Sequence, residues 1–467
     1  MINKITILLM LLTQFTYAHD VELNRNTLKI SKVSDVTLAM AKNIEEAKKS
    51  KISVVFKKTV TQEGFTRFVK KNKWITKLNI PGNGNIGALT GLEKVKGLKK
   101  IVIQSLKKSK TTPLDLGPLS NHMQLEEIDF QGTKVTNTEA LSNCKSLKII
   151  SFYMSNVSSL EFLYGTPLVE NLNLYGYKHT FENYDPVSSL KNIKTLDIYM
   201  NKQAVDEKLS ALKNLTSLVK FSFSHCRNIT TLDFLENCTE LTFLNGKWTK
   251  GLKDLSALSK LTKLKTVKLD DCQASDFSIL KNCVNLKYLD ISGTQVTNID
   301  FIESLVNLEI LDISGTEVKN IDFIESLVNL KKLDANETPI DSISKIKKNP
   351  NLKELNLSGT LIKNIEFIKS LVYLEELNLS KTSIDSISQI ENHPSLKKLN
   401  ISYTNTSSIK EVVSVLNLKS INIKNTKVTN LNPLLACPKL KTIKLDKQIH
   451  KDFIEQSKKD HPKIRIY

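Results

Sequence analysis

Nowhere in this 467-residue sequence is there an apolar run near the ~20 residues that a membrane-spanning helix requires. The signatures of metal and nucleophile chemistry are missing too. There is no H-E-x-x-H, no C-x-x-C, no G-x-S-x-G elbow and no visible Ser-His-Asp set, and the seven histidines are scattered. An amino-terminal His19 could hold copper after processing, but nothing nearby in sequence supports it. No cofactor, metal or catalytic residue is therefore expected, and an enzyme is the less favoured class. Aromatic residues are scarce at 6% and few interleave with the lysines, which argues against nucleic acid. The charge is lopsided: Lys+Arg 67 against Asp+Glu 48. Lysine pairs such as Lys99-Lys100 and Lys107-Lys108 read as a solvated flank, with attraction to a polyanion as the sharper alternative.

What is present is a period. Steps of 22 from Leu264 meet leucine each time, at Leu286, Leu308, Leu330, Leu352, Leu374, Leu396, Leu418 and Leu440. Each opens a phrase L-x-x-L-x-L-x-x-T, as in Leu308–Leu311–Ile313–Thr316 and Leu352–Leu355–Leu357–Thr360. A period in this range marks a solenoid, and the phrase is the leucine-rich-repeat signature. Looser copies begin at Ile75, Leu98, Leu125, Leu147, Val169, Ile193, Leu218 and Leu241, giving about 17 repeats over residues 74–446. Residues 298–308 and 320–330 are the same eleven letters. Loops around Leu106–Pro118 and Lys202–Leu209 absorb the longer early spacings.

The ends differ. Residues 1–18 read as a secretory signal, with Lys4, the apolar Ile5 to Leu12 and Thr16-Tyr17-Ala18 as a small-residue cleavage site. The protein is therefore expected to be secreted, periplasmic or at a cell surface. Residues 19–73 fall outside the repeat and are expected to cap the raw end of the stack. Ser34-Asp35 can open a helix bearing Val36, Ala39, Met40, Ile44 and Ala47 on one face. Ile52 to Phe56 reads as a strand, and Phe65, Phe68 and Val69 as a second short helix. Residues 447–467, with Phe453, Ile454, Ile464 and Ile466, can close the other end.

Within a unit, Leu308, Leu311, Ile313, Val318, Ile321, Ile324 and Leu327 are expected to point inward. Thr316 and its equivalents Thr294, Thr338, Thr360, Thr382, Thr404 and Thr426 should serve buried backbone groups in the turn through their hydroxyls. All six cysteines fall on core positions of the repeat. Cys144, Cys238, Cys283 and Cys437 stand three residues before a strand-opening residue, and Cys226 and Cys272 stand in the threonine slot. They read as buried thiols, with a Cys226–Cys238 bridge as the alternative. His393 occupies the same pre-strand slot as Asn349. Gly82-Asn-Gly84-Asn-Ile-Gly87 matches the dinucleotide fingerprint in letters but follows the first repeat strand with no acidic residue at a second strand, so it reads as a repeat turn. Too little length separates the strands for long helices, so the outer side should be turns and 3₁₀ pieces.

These residues resemble the 22-residue class of leucine-rich repeats of bacterial internalins and of the eukaryotic phosphatase-regulator type. The phrase Leu289-Asp-Ile-Ser-Gly-Thr followed by Asn298-Ile299-Asp300 carries the likeness, with threonine where that class usually has asparagine. The resemblance implies an α/β leucine-rich-repeat right-handed solenoid, with a curved parallel sheet on the concave face and short 3₁₀ turns on the convex face. It also implies recognition of another macromolecule.

Strand residues alternate in and out, so the second, fourth and sixth residues after each opening leucine face the concave surface. The sixth position gives Tyr153, Tyr175 and Tyr199 in successive repeats. Phe243 and Tyr288 occupy the second position, and Asp290, Asp312 and Asp334 form a column at the fourth. The tyrosines are either a stabilising ladder or a contact patch for a protein partner, of the kind interfaces enrich. The aspartates are either a solvated face or a site for a basic partner. The sequence thus points to an exported, monomeric, internalin-like adhesin or secreted effector that binds a protein on its concave face. A periplasmic or surface scaffold for the cell's own proteins and a polyanion binder are the alternatives.

Overall fold

One repeat shows why the chain folds as it does. Leu308, Leu311, Ile313, Val318, Ile321, Ile324 and Leu327 are all buried, and each meets the same positions above and below. No single turn of about 22 residues could bury enough apolar surface alone, so stability comes from stacking. The computed structural model describes residues 21–24, 27–33, 38, 53–57, 59–82, 86–104 and 112–467. The signal segment, His19, the helix expected after Ser34-Asp35, the Asn83-Gly84-Asn85 turn and the Lys107-Lys108 stretch lie outside the described residues.

Packing divides the chain into two units, Met1–Ile229 with Asp233–Leu241 and Thr230–Leu232 with Thr242–Tyr467. In the first, strands Val21–Asn24 and Thr27–Ile30 make an antiparallel hairpin, which the sequence did not announce. Thr27–Ile30 then pairs in parallel with Ser53–Phe56, which leads into Lys77–Ile80, Lys100–Gln104, Glu127–Gln131 and four shorter strands ending at Lys220–Ser222. The helix called for by Phe65, Phe68 and Val69 runs Gln62–Lys71, and the Thr61 hydroxyl accepts from Gly64 N at its start. Phe65 and Phe68 meet Phe56 edge-on at 5.2 and 5.5 Å. Lys100 begins its strand rather than lying outside it, and its ammonium meets Glu127 at 2.6 Å. The Lys202–Leu209 segment ends in a helical turn, Asp206–Leu209, not an open loop.

In the second unit, parallel strands follow in register from Phe243–Asn245 to Thr442–Lys444. Helix Lys451–Asp460 and strand Arg465–Ile466 come after them. The outer side is a row of short 3₁₀ turns, as the spacing requires. The duplicated letters fold alike: Asp300–Ser304 and Asp322–Ser326 are both 3₁₀ turns, opened by Asn298 and Asn320 whose side-chain oxygens accept the N–H of Asp300 and Asp322 at 2.8 Å. Among the described residues no helix is long and apolar enough to cross a membrane.

Three side-chain columns run along the stack; the first closes each turn on itself and the other two tie neighbouring coils together. Every threonine of the ladder donates its hydroxyl to the carbonyl three residues back, at 2.6 Å for Thr294, Thr316, Thr338 and Thr382 and 2.7–2.8 Å for Thr360, Thr404 and Thr426. The pre-strand slot is a second donor column. Asn349 donates to the carbonyls of Ile324 and Leu327, the His393 ring meets that of Leu371, and Cys144, Cys238, Cys283 and Cys437 point their thiols at carbonyls of the preceding repeat. All six cysteines are free and buried, so the Cys226–Cys238 bridge does not form. A third column, which the sequence reading overlooked, is the asparagine just before the strand. Asn307, Asn329 and Asn351 donate to Val284, Val306 and Val328 at 2.9–3.0 Å.

Candidate functional site

In the first unit the parallel register stacks the tyrosine column. Ring centroids of Tyr153 and Tyr175 lie 4.4 Å apart at 22°, and those of Tyr175 and Tyr199 4.4 Å apart at 5°. That is closer than the ~4.8 Å between strands, so the rings lean into full contact. The backbone beneath them is fixed twice. Tyr175 N donates to Asn173 Oδ1 and Tyr199 N to Asp197 Oδ1, at 2.8 and 2.9 Å. Each tyrosine carbonyl in turn accepts the N–H of a residue one repeat earlier: Gly132, Met154 and Gly176. Tyr153 is 41% exposed, while Tyr175 and Tyr199 are half-buried by one another. Burial, reinforced by the flanking phenols, pushes the Tyr175 hydroxyl up to about 12, so it stays neutral. His225 extends the row, its ring 5.0 Å from that of Tyr199.

The residue after each column position holds the key irregularity. From Gly132 to Asn425, the seventh residue after each strand-opening residue is left-handed, with positive φ. Gly132, Gly176, Gly293, Gly315 and Gly359 fill that place without strain, and Asn425 tolerates it. Met154, Met200, His225, Trp248 and Tyr403 do not; each carries a bulky side chain in a conformation costing on the order of 1–2 kcal/mol. Three of these five, Met154, Met200 and His225, flank the tyrosine column. Tyr177, also missed in the sequence, occupies a threonine slot but points outward, 44% exposed, with Lys178 Nζ 5.4 Å from its ring centre. His179 takes the inward place instead, packed 5.8 Å from Phe181 and held down to about 4 by burial. A search for bulky residues where sister repeats place glycine would have found the methionines and His225.

In the second unit the predicted residues form a different kind of surface. Phe243 and Tyr288 are half-buried on strands separated by Thr266, and Lys268 covers the Tyr288 ring at 4.6 Å. The aspartate column is in register, but it is not the solvated face that alternation suggested. Asp290 is buried, and its carboxylate meets Lys247 Nζ at 3.0 Å, while the same ammonium meets Asp270 at 3.1 Å. Burial opposes the Lys247 charge, yet the bonds from Asp290 and Asp270 outweigh it and hold the ammonium above its usual range. Asp312 and Asp334 turn back on their own chain, accepting from Ser314 N and Asn336 N at 3.0 and 3.1 Å and from the Ser314 hydroxyl and Asn336 amide at 2.6 Å. Asn356, Asn378 and Asn400 make the same turn in later repeats. These carboxylates are therefore committed to the strand edge and offer little to a basic partner.

The thiols are equally committed. Burial pushes them up to about 11 or 12, and a thiol held so high is a poor nucleophile or metal ligand. Among the described residues, no group of three or more histidine, cysteine or acidic side chains is placed to hold a metal ion.

Known proteins bear out the architecture. A family model described as leucine rich repeats (2 copies) matches residues 284–326 and 328–370. No curated protein sequence matches. Among solved structures, an internalin from Listeria monocytogenes is 22% identical over 69% of this chain and 87% of its own, with a TM-score of 0.58. A leucine-rich-repeat protein of Leptospira interrogans is 16% identical over 94% and 93%, TM-score 0.55. The Toll–Spatzle complex of Drosophila is matched at 16% identity over 91% and 64%, TM-score 0.63. These likenesses establish a leucine-rich-repeat solenoid similar to internalins.

Proposed function

We propose that the chain is an exported, non-enzymatic protein-binding module, an internalin-like adhesin or secreted effector. Its partner docks on the strand face of the first unit, anchored by Tyr153, Tyr175 and Tyr199. The observation that carries this reading is the coincidence at one place of two departures from the repeat. Stacked tyrosines replace the small polar residues found at Ser314, Ser358 and Ser380, and strained methionines and a histidine replace glycine beside them. Either could be chance alone. A ladder built only for stability gains nothing from left-handed Met154, Met200 and His225. Rigid stacked phenols with polar tips are also what interface hot spots are made of.

The flanking segments, residues 19–73 and 447–467, act in this reading as end caps. Polyanion binding is disfavoured because many lysines are already matched, as in Lys99–Glu126, Lys287–Glu309–Lys331 and Lys398–Glu376. The test is affinity capture with the chain lacking residues 1–18, set against the Tyr153→Ala/Tyr175→Ala/Tyr199→Ala triple variant. The partner is expected to be lost with the tyrosines, at a cost of on the order of 2 kcal/mol or more, and to stay bound to the parent in 0.5 M salt. Equal recovery by both baits rejects the anchor.

A further inference from the structure

Beside the tyrosine column lies a pocket of about 340 Å³ lined by Tyr177, Met200, Lys202, His225, Arg227 and Asn228. Three successive repeats contribute to it. Arginine is scarce here: Arg25, Arg67, Arg227 and Arg465 are the only four, so Arg227 is the sole arginine between residues 68 and 464. Elsewhere in the structure several lysines reach carboxylates of neighbouring repeats, as Lys247, Lys332, Lys381 and Lys397 do. Among the described residues, Lys202 and Arg227 have no such acidic partner. One wall is apolar or aromatic, from Met200 and Tyr177, and Lys178 over Tyr177 adds a third cation at the rim. The pocket thus joins uncompensated positive charge to a flat apolar surface. A planar guanidinium pairs best with a carboxylate, through two parallel hydrogen bonds.

We propose that this pocket seats a carboxylate from an acidic segment of the partner protein, with an adjoining apolar or aromatic side chain resting on Tyr177 and Met200. The inference rests on the tyrosine-column reading and supplies the chemistry of its partner. Arg227 and Lys202 provide the charge, Met200 and Tyr177 the apolar wall, and Asn228 a further amide. His225 contributes ring surface, and burial, then the nearby Arg227 charge, hold its imidazole below its usual range. The acidic residue lies at the column's edge, so the partner's neighbouring side chains reach Tyr199 and Tyr175. The left-handed strain at Met200 and His225 then has a purpose, since glycine at those two places would remove the methionine side chain and the imidazole ring from the lining.

The test uses the chain's six methionines. With ¹³C-methyl methionine labelling, Met200 reports the pocket, and Met123, 63% exposed, serves as control. The probes are acetylated, amidated tripeptides Glu-Xaa-Glu with Xaa as Tyr, Phe or Leu, their Gln-Xaa-Gln counterparts, and inorganic phosphate. At least one Glu peptide is expected to shift the Met200 methyl saturably while Met123 stays still. The Gln counterparts, and the Arg227→Gln/Lys202→Gln variant with any peptide, are expected to bind about tenfold more weakly or worse. Equal shifts with Glu and Gln peptides would mean an apolar groove only. Shifts with phosphate alone would mean a free-anion site, and no Met200 shift with any Glu peptide removes the proposal; each of these three outcomes overturns it. If the peptides fail while the tyrosine triple variant still loses its captured partner, the pocket falls and the tyrosine reading stands. If the triple variant keeps the partner, the reading beneath both has failed.

Discussion

Replacing Thr316 by valine removes one hydroxyl and nothing else of consequence in shape. The hydroxyl donates at 2.6 Å to the Ile313 carbonyl in a turn where Thr316 is almost fully buried, and among the described residues no backbone N–H shares that carbonyl. Leaving a buried carbonyl without a donor costs about 1–3 kcal/mol, and the extra apolar methyl returns up to about 0.8 kcal/mol. The net loss should be about 0.2–2 kcal/mol. Thr360 makes a near-identical bond, at 2.7 Å to the Leu357 carbonyl, but that carbonyl also receives the N–H of Thr360 at 3.3 Å. Thr360→Val leaves a donor in place and should cost about half as much or less. Equilibrium urea unfolding ranks the two variants, and amide exchange over residues 310–318 and 354–362 localises the effect, which matters because repeat arrays open locally. If Thr360→Val lowers the urea midpoint as far as Thr316→Val, or further, then the ladder does not work through carbonyl satisfaction and the argument for the column is wrong.

Asp312→Asn should raise the urea midpoint at pH 7. Burial holds the Asp312 carboxyl above its usual range, so the charged form is disfavoured in the fold, and asparagine makes the same turn at Asn378. The sign follows from linkage: the folded state binds the proton more readily, so the parent recovers stability as pH falls through the raised value, and the variant's advantage should shrink by pH 4. An advantage that grows on acidification rejects this account. Gly359→Ala should cost more than Gly315→Ala, because a new Cβ at residue 359 would meet the Glu337 carboxylate at 2.9–3.1 Å, whereas at residue 315 its nearest neighbour is 3.8 Å away. Both share about 1 kcal/mol of left-handed strain, so thermal unfolding of the pair isolates the clash; equal losses deny it. The thiols should resist alkylation at pH 8 in the native protein and react fully only in denaturant; prompt native labelling at any of the six would contradict their burial.

The repeat was legible because its period is a direct readout of stacking. A residue that recurs every 22 positions meets its own copy, so leucine, threonine and pre-strand cysteine could be assigned roles without coordinates, and the structure keeps them there. Asp290 was misjudged for a related reason. Alternation says which side of a strand a residue faces, but not whether Lys247 reaches forward two strands to cover it. The asparagine column at Asn307, Asn329 and Asn351 was equally periodic and went unread, since a polar residue ahead of a strand looks like an ordinary turn until its acceptor one repeat away is known. The N-terminal hairpin gave no signal at all, because its four-residue strands are too short for a pattern.

The candidate site belongs to a third category, legible only by comparison among the repeats themselves. In a solenoid each position is sampled many times in one molecule, so the cheapest residue for a given backbone conformation is visible in the sister copies. For the left-handed seventh position that residue is glycine, used in five of the repeats from Gly132 to Asn425. Any other choice needs a compensating gain, and the gain can be intramolecular, as where Lys381 in this position pairs with Glu337 two repeats earlier at 2.9 Å. Met154 and Met200 have no charge to pair and lie at the edge of a tyrosine row rather than in the core. On the proposed reading, contact with the partner is the gain that offsets this strain. Met200→Gly should therefore leave the fold intact while weakening capture of the partner that Tyr175→Ala weakens; equal capture by the Met200→Gly variant and the parent rejects this role for the strained side chain.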